Sequence, residues 1–187
     1  MIKPAAHRIA NIFPLSLHSA LAVAGGVALL TLSAKIQVPF WPVPLNLQTM
    51  AVMGLALGLG PRLAVATFAA YLAAGASGLP VFAGSPERGI GLLYIAGPTG
   101  GYLAGMLAAS WATGVLGAGR GLAARLGAML AGMALIYGLG VAWLAIYVPT
   151  PRLLAEGIAP FILGDLVKIG IVAAGASLVS AIRHKAS

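Results

Sequence analysis

The chain contains no cysteine and very little charge. Only 7% of its 187 residues are charged, whereas a soluble domain carries about 25%. The absence of cysteine excludes disulfides, zinc–thiolate sites, iron–sulfur clusters and thiol nucleophiles. Because 60% of the residues are hydrophobic, the composition also excludes a soluble globular enzyme and a disordered chain. It indicates an integral membrane protein.

Six apolar segments are predicted to cross a hydrocarbon core of roughly 30 Å. They lie at about residues 15–34, 48–60, 61–77, 98–116, 125–147 and 158–182. The second segment is short for a crossing, and Pro61 is expected to end it and to open the third. The sequence therefore predicts an all-α integral membrane protein, with residues 1–187 forming one domain of six transmembrane helices.

The basic residues predict the orientation. The formal net charge is +8, with eleven Lys and Arg residues against three acidic ones. If both termini are cytoplasmic, seven basic residues fall inside: Lys3, Arg8, Arg62, Arg120, Arg125, Arg183 and Lys185. Three fall outside, at Lys35, Arg88 and Arg152. The positive-inside rule favours this arrangement. It also explains the charge without a nucleic-acid partner, for which clustered basic and aromatic residues would be expected.

Two charged residues lie inside the sixth predicted helix. Asp165 and Lys168 are three residues apart and share a helix face. Asp165 is expected on the order of 10 Å below the outer boundary, where a charged group is costly unless it is paired or meets water. The pair is either a structural ion pair between helices or part of a polar ligand site that fills from outside.

The outer connections carry further polar and aromatic groups. Gln48 is expected at the outer end of the second helix, and Phe82, Arg88 and Tyr94 belong to the next outer connection. Arg88 could bind a carboxylate through two hydrogen bonds, or it could be an exposed arginine paired with Glu87.

Small residues line one face of the first helix. Ala20, Ala24 and Ala28 recur at four-residue spacing. Such a stripe lets another helix approach closely. The sequence alone allows either a partner subunit or internal packing at this face.

Catalytic and cofactor motifs are weak or absent in the sequence. Ser77 lies in a Gly-x-Ser-Gly pattern, but the histidines fall far from it, so a serine protease with a histidine base is excluded. No G-x-x-x-x-G-K-[ST] loop is present, so the chain has no ATPase of its own. Scattered histidines without nearby carboxylates predict no metal site. We expect no enzyme activity and no cofactor.

Four motifs together resemble the BioY family, the biotin-binding S components of energy-coupling factor (ECF) transporters. They are Pro42-Val43-Pro44 to Gln48-Thr49, Gly78-Leu79-Pro80-Val81-Phe82-Ala83-Gly84, Gly97-Pro98-Thr99-Gly100-Gly101-Tyr102, and Gly164-Asp165 with Lys168. They extend from the first outer connection to the last helix. One departure is Asn46-Leu47, where the family pattern has a threonine before Leu-Gln-Thr.

The resemblance implies a membrane protein of the cytoplasmic (inner) membrane that captures biotin from outside. It also implies partners, namely a transmembrane coupling subunit that would dock on the alanine stripe and two ATPases. Asp165 and Lys168 suit the ureido group and carboxylate of biotin. The further expected contacts are Arg88, Gln48 and Tyr94 for polar groups. Phe82 and Tyr71 would pack either on the ring body or between helices. Two alternatives stay open: an S component for another vitamin, and a proton-coupled carrier that uses Asp165.

Overall fold

A computed structural model shows a chain that is helical almost throughout. The structure describes residues 16–38, 42–84 and 90–186. The elements within these ranges are α1 (Leu17–Lys35), β1 (Gln37–Val38), β2 (Leu45–Asn46), α2 (Gln48–Ala76), α3 (Leu92–Ala96), α4 (Gly100–Gly117), α5 (Leu122–Leu144), a 3₁₀ turn (Thr150–Arg152), α6 (Leu153–Gly157) and α7 (Ala159–Ala186). The predicted all-α class is confirmed.

A break divides α2 into two arms. Gly60 has φ +76° and ψ 173°, which is not helical, and Pro61 follows it directly. Glycine tolerates this left-handed φ, and proline suits the first position of a new helix because it has no N–H to leave unpaired. The helix boundary that the sequence predicts at Pro61 is therefore present. It divides α2 into a first arm, residues 48–59, and a second arm, residues 61–76.

The core lies between α2, α4 and α5. Helix α4 packs extensively against both α5 and α2, and α1 packs on α2. Close approach depends on small residues. A Cβ atom at Gly105 of α4 would lie 2.6 Å from the Ile136 Cα of α5, and one at Gly26 of α1 would lie 2.5 Å from the Thr67 Cγ2 of α2.

The outside of the bundle is apolar. Large hydrophobic side chains such as Leu21, Leu163 and Leu178 are more than half exposed, which suits a surface covered by lipid tails. Four stretches of the described residues are long and apolar enough to cross a membrane: Leu17–Lys35, Gln48–Ala76, Leu122–Leu144 and Thr150–Val179.

The connections contain short elements that the sequence did not predict. The strands β1 and β2 pair antiparallel between α1 and α2. Helix α3 lies within the connection before α4, where the Trp143 Nε1 donates to the Gly97 carbonyl at 2.9 Å and the Tyr147 hydroxyl donates to the Ala96 carbonyl. These two bonds fix the start of α4 against the end of α5.

Candidate functional site

Asp165 is the centre of a buried polar cluster. It lies in the second turn of α7 and is 4% exposed. The Lys168 Nζ donates to its Oδ1 at 2.8 Å, as expected for charges three residues apart on one helix. Two neutral side chains also donate hydrogen bonds to the Asp165 carboxylate. The Thr49 hydroxyl of α2 donates to Oδ1 at 2.8 Å, and the Tyr137 hydroxyl of α5 donates to Oδ2 at 2.6 Å.

This cluster joins three helices. Thr49 is in the first turn of α2, and Tyr137 is in the C-terminal half of α5. A buried carboxylate is tolerated only when it is paired and hydrogen-bonded, and both oxygens of Asp165 meet that condition. The Asp165–Lys168 pair therefore connects α7 to α2 and α5, with or without a ligand.

Lys168 also holds the connection before α2. Its Nζ donates to the Asn46 carbonyl at 2.6 Å and to the Thr49 hydroxyl at 3.2 Å. The Asn46 side chain accepts from the Gln48 backbone N–H at 3.0 Å, which satisfies one of the unpaired donors at a helix start.

A small cavity adjoins the cluster. Its volume is about 40 Å³. Its walls combine the polar cluster with apolar and aromatic side chains from α4, α5, α7 and the connection before α2. They are Val43, Pro44, Asn46, Gln48, Thr49, Thr99, Tyr102, Met106, Ile136, Tyr137, Phe161, Asp165 and Lys168.

Gln48 brings a buried side-chain amide to this cavity. Gln48 is 3% exposed and its side chain lies near the Tyr71 hydroxyl, but its Nε2 has no well-oriented hydrogen-bond partner among the described residues. A buried amide N–H without a partner costs free energy. A ligand oxygen in the cavity would satisfy this donor.

The predicted aromatic residues form a separate cluster next to the cavity. The Tyr71 and Phe82 rings lie edge to face with centroids 5.4 Å apart, and the Phe82 and Tyr94 rings stack at 4.9 Å. The Tyr71 hydroxyl donates to the Val81 carbonyl at 3.1 Å. None of the three lines the cavity, and their role in ligand binding stays a prediction.

The other predicted residues fall elsewhere. Arg88 lies outside the described residues. Ala20, Ala24 and Ala28 are exposed on α1, whereas Gly26 of the same helix is buried against α2. The alanine stripe therefore does not pack against the described part of this chain.

Sequence reasoning missed four residues of the site. Thr49 and Tyr137 bind Asp165, while Tyr102 and Phe161 line the cavity with ring centroids 6.4 Å apart. Thr49 and Tyr102 are within the quoted motifs, so the motifs marked the correct segments. Tyr137 carried no signal, because a neutral polar residue in a transmembrane helix is common.

Comparison with known proteins gives a consistent result. The BioY family matches residues 6–185. A protein of Pyrococcus horikoshii named "Probable biotin transporter BioY" is 41% identical over 76% of this chain and 83% of its own length. The "Biotin transporter BioY" of Thermotoga maritima is 38% identical over 78% of this chain and 86% of its own length.

A solved structure shares the fold. It is a crystal structure of "the S-component for biotin from an ECF-type ABC transporter", with a TM-score of 0.74 over 96% of this chain and 95% of that one. At 22% identity, this likeness concerns the fold. The family match covers nearly the whole sequence, and together these findings show that the chain belongs to the BioY family.

Proposed function

We propose that this chain is a biotin-binding membrane subunit of a vitamin uptake transporter and not an enzyme. The observation that carries the proposal is the buried Asp165–Lys168 pair at the wall of a cavity that also has apolar and aromatic walls. Relatives named as biotin transporters support it. Biotin has a matching chemistry: a ureido group, an apolar bicycle and a carboxylate tail.

The polar groups of the cavity complement biotin in sign. Asp165 accepts from a ureido N–H, and Lys168 donates to a carbonyl or carboxylate oxygen. The Gln48 Nε2 donates to the remaining oxygen. Tyr102 and Phe161 pack against the bicycle. Arg88, Tyr94, Phe82 and Tyr71 complete the proposed set on the outer side.

Binding requires the walls to move apart. Sites for small molecules usually measure about 300–1,000 Å³, far more than the 40 Å³ of this cavity. Val43, Pro44 and Asn46 belong to the connection between α1 and α2, and the Asn46 carbonyl is held by Lys168. A ligand oxygen that takes over the Lys168 donor would release this connection.

Biotin specificity is tested by calorimetry on the purified protein. Biotin should bind tightly and in a one-to-one ratio without ATP, and thiamine and riboflavin should not bind. Tight binding of another vitamin would replace biotin in the proposal. A proton-coupled carrier, by contrast, would lose uptake when the pH gradient is collapsed.

The energy for uptake is proposed to come from an ECF coupling subunit and two ATPases. The sequence lacks a phosphate-binding loop, and the structural neighbour belongs to an ECF-type transporter. The exposed stripe of Ala20, Ala24 and Ala28 offers a smooth face on α1 for a partner helix.

A bulky substitution in the stripe should separate docking from binding. Ala24→Leu should weaken co-purification with the coupling subunit, because the leucine holds the partner helix away, and biotin affinity should stay at the wild-type value. Gly25→Leu is the matched control, since Gly25 is exposed beside the stripe with open space at its Cβ. Loss of biotin binding in Ala24→Leu would show that the stripe is needed for folding instead.

We further propose six crossings with both termini on the cytoplasmic side of the inner membrane. The six are α1, the two arms of α2, α4, α5 and α7. Seven basic residues then lie inside and three outside. Asp165, about 9 Å along α7 from Ala159, then lies in the outer half of the bilayer, so the site fills from outside.

Cysteine labelling tests this orientation, since the chain has no cysteine of its own. Lys3→Cys and Lys185→Cys should react with a membrane-impermeant maleimide only after the cells are permeabilised. Ala155→Cys, at an exposed position of α6, should react in intact cells. Strong labelling of either terminus in intact cells would reverse the proposed topology.

A further inference from the structure

A second cavity lies at the other end of the bundle from Asp165. Its volume is about 350 Å³, within the range of ligand sites. Its walls come from the first arm of α2, the turn between α4 and α5, the first turn of α5, and the C-terminal half of α7. They are Gly54, Leu57, Gly58, Gly119, Arg125, Val172, Gly175, Ala176 and Val179. The two cavities share no residue.

Helical glycines create this space. Gly54, Gly58 and Gly175 line the cavity, and a Cβ atom on any of them would meet nothing within 4 Å. None of the three has a positive φ. Neither packing nor backbone conformation therefore requires glycine, although each helix-interior glycine costs about 1 kcal/mol relative to alanine. Because these positions have no side chains, the cavity has room for a separate molecule.

The charge at this end of the bundle has one sign. Arg125 lines the cavity. The charged residues in the segments at this end of the helices are all basic: Arg62, Arg120, Arg125, Arg183 and Lys185. The three acidic residues of the chain, Glu87, Glu156 and Asp165, lie in other segments. An occupant with an apolar body and a negative head is complementary to this cavity.

We propose that the cavity binds one anionic phospholipid. The phosphate accepts hydrogen bonds from the Arg125 guanidinium, whose planar fork suits phosphate. One acyl chain lies against Leu57, Val172 and Val179. Basic pockets between transmembrane helices on the cytoplasmic side are a general form of lipid headgroup site. This site is separate from the vitamin site and stands whether or not the chain binds biotin.

Native mass spectrometry of the purified, delipidated protein tests the proposal. Phosphatidylglycerol and phosphatidylcholine with the same acyl chains are the probes. The wild type should retain one phosphatidylglycerol with about tenfold or greater preference over phosphatidylcholine. Arg125→Gln should weaken phosphatidylglycerol retention about tenfold or more, as expected for the loss of hydrogen bonds between charged groups. Gly175→Leu fills the cavity and should weaken retention of both lipids.

Two variants serve as matched controls. Arg120→Gln removes an exposed arginine in the turn just before α5, which does not line the cavity. Gly170→Leu adds a leucine at an exposed position of α7, the helix that carries Gly175. Both should retain phosphatidylglycerol as the wild type does, and biotin affinity should be unchanged in all four variants.

Several results would overturn the lipid site. Equal retention of the two lipids would mean ordinary boundary lipid, and displacement of phosphatidylglycerol by inorganic phosphate would mean a site for free anions. If neither lipid were retained, the cavity would not be a lipid site, and a helix of a partner subunit would be its expected occupant. Unchanged retention in both Arg125→Gln and Gly175→Leu would place the lipid elsewhere.

Discussion

Asp165→Asn should weaken biotin binding about 10- to 150-fold. The substitution keeps the shape of the side chain but replaces one acceptor with an NH₂ donor, which then faces a ureido N–H that also donates. A hydrogen bond to a charged group contributes roughly 1.5–3 kcal/mol, which converts to that range at tenfold per 1.4 kcal/mol. Calorimetry of the purified variant against biotin measures the change.

The same substitution disturbs the protein without ligand. Thr49, Tyr137 and Lys168 all donate to Asp165, so asparagine leaves Lys168 without its buried counter-charge. Thermal melting of the ligand-free variant separates this effect from lost ligand contact. A melt near that of the wild type combined with weak biotin binding supports direct contact.

Two further variants make the result decisive. Lys168→Met should also weaken biotin binding, because it removes the donor to the ligand oxygen. Glu156→Gln is the control, since Glu156 forms a partly exposed i,i+4 pair with Arg152 at 3.1 Å and does not line the cavity. Wild-type biotin affinity in both Asp165→Asn and Lys168→Met would mean that the buried pair is structural.

The centre of the site could be predicted because charge is rare in this chain. A carboxylate and an ammonium within an apolar segment are costly, so Asp165 and Lys168 stand out in the sequence. Their shared helix face follows from the helical period alone. Thr49 and Tyr137 could not be assigned in the same way, because each meets Asp165 through tertiary packing between different helices.

The long helices were predictable for a similar reason. Apolar length marks a membrane span, and the observed ends of α1, Leu17 and Lys35, lie within about two residues of the prediction. Helices α3 and α6 have five residues each, too few to show a period. The positive φ of Gly60 is likewise a property of the folded chain, although Pro61 signalled the boundary.

The sequence contains a small-residue pattern on α4 that reflects its packing against α5, and only the structure shows which helix it contacts. Gly101, Gly105 and Ala109 recur every four residues on α4, a pattern that permits close helix contact in membranes. A Cβ atom at Gly101 would lie 2.2 Å from the Trp143 Cβ. The spacing indicates a contact face, but it does not identify the partner helix, which in this fold is α5.

This contact face predicts a loss of stability in Gly105→Ala. The added methyl group would lie 2.6 Å from the Ile136 Cα and 3.0 Å from two backbone carbonyl oxygens of α5. Backbone atoms cannot rotate away as side chains do, so the two helices must separate. Overpacking of this kind costs about 1–3 kcal/mol, which exceeds the gain of roughly 1 kcal/mol from replacing a helical glycine with alanine. The melting temperature of the purified variant should therefore fall.

Gly138→Ala is the matched control and should change stability in the opposite direction. Gly138 is an exposed glycine of α5, and a Cβ atom there meets nothing within 4 Å. The helix gains alanine's intrinsic preference without a clash, so the melting temperature should stay level or rise. If Gly105→Ala melts as high as Gly138→Ala, the close approach of α4 and α5 through Gly105 is wrong. The same result would leave Tyr137, which α5 brings to Asp165, without the helix contact that positions it.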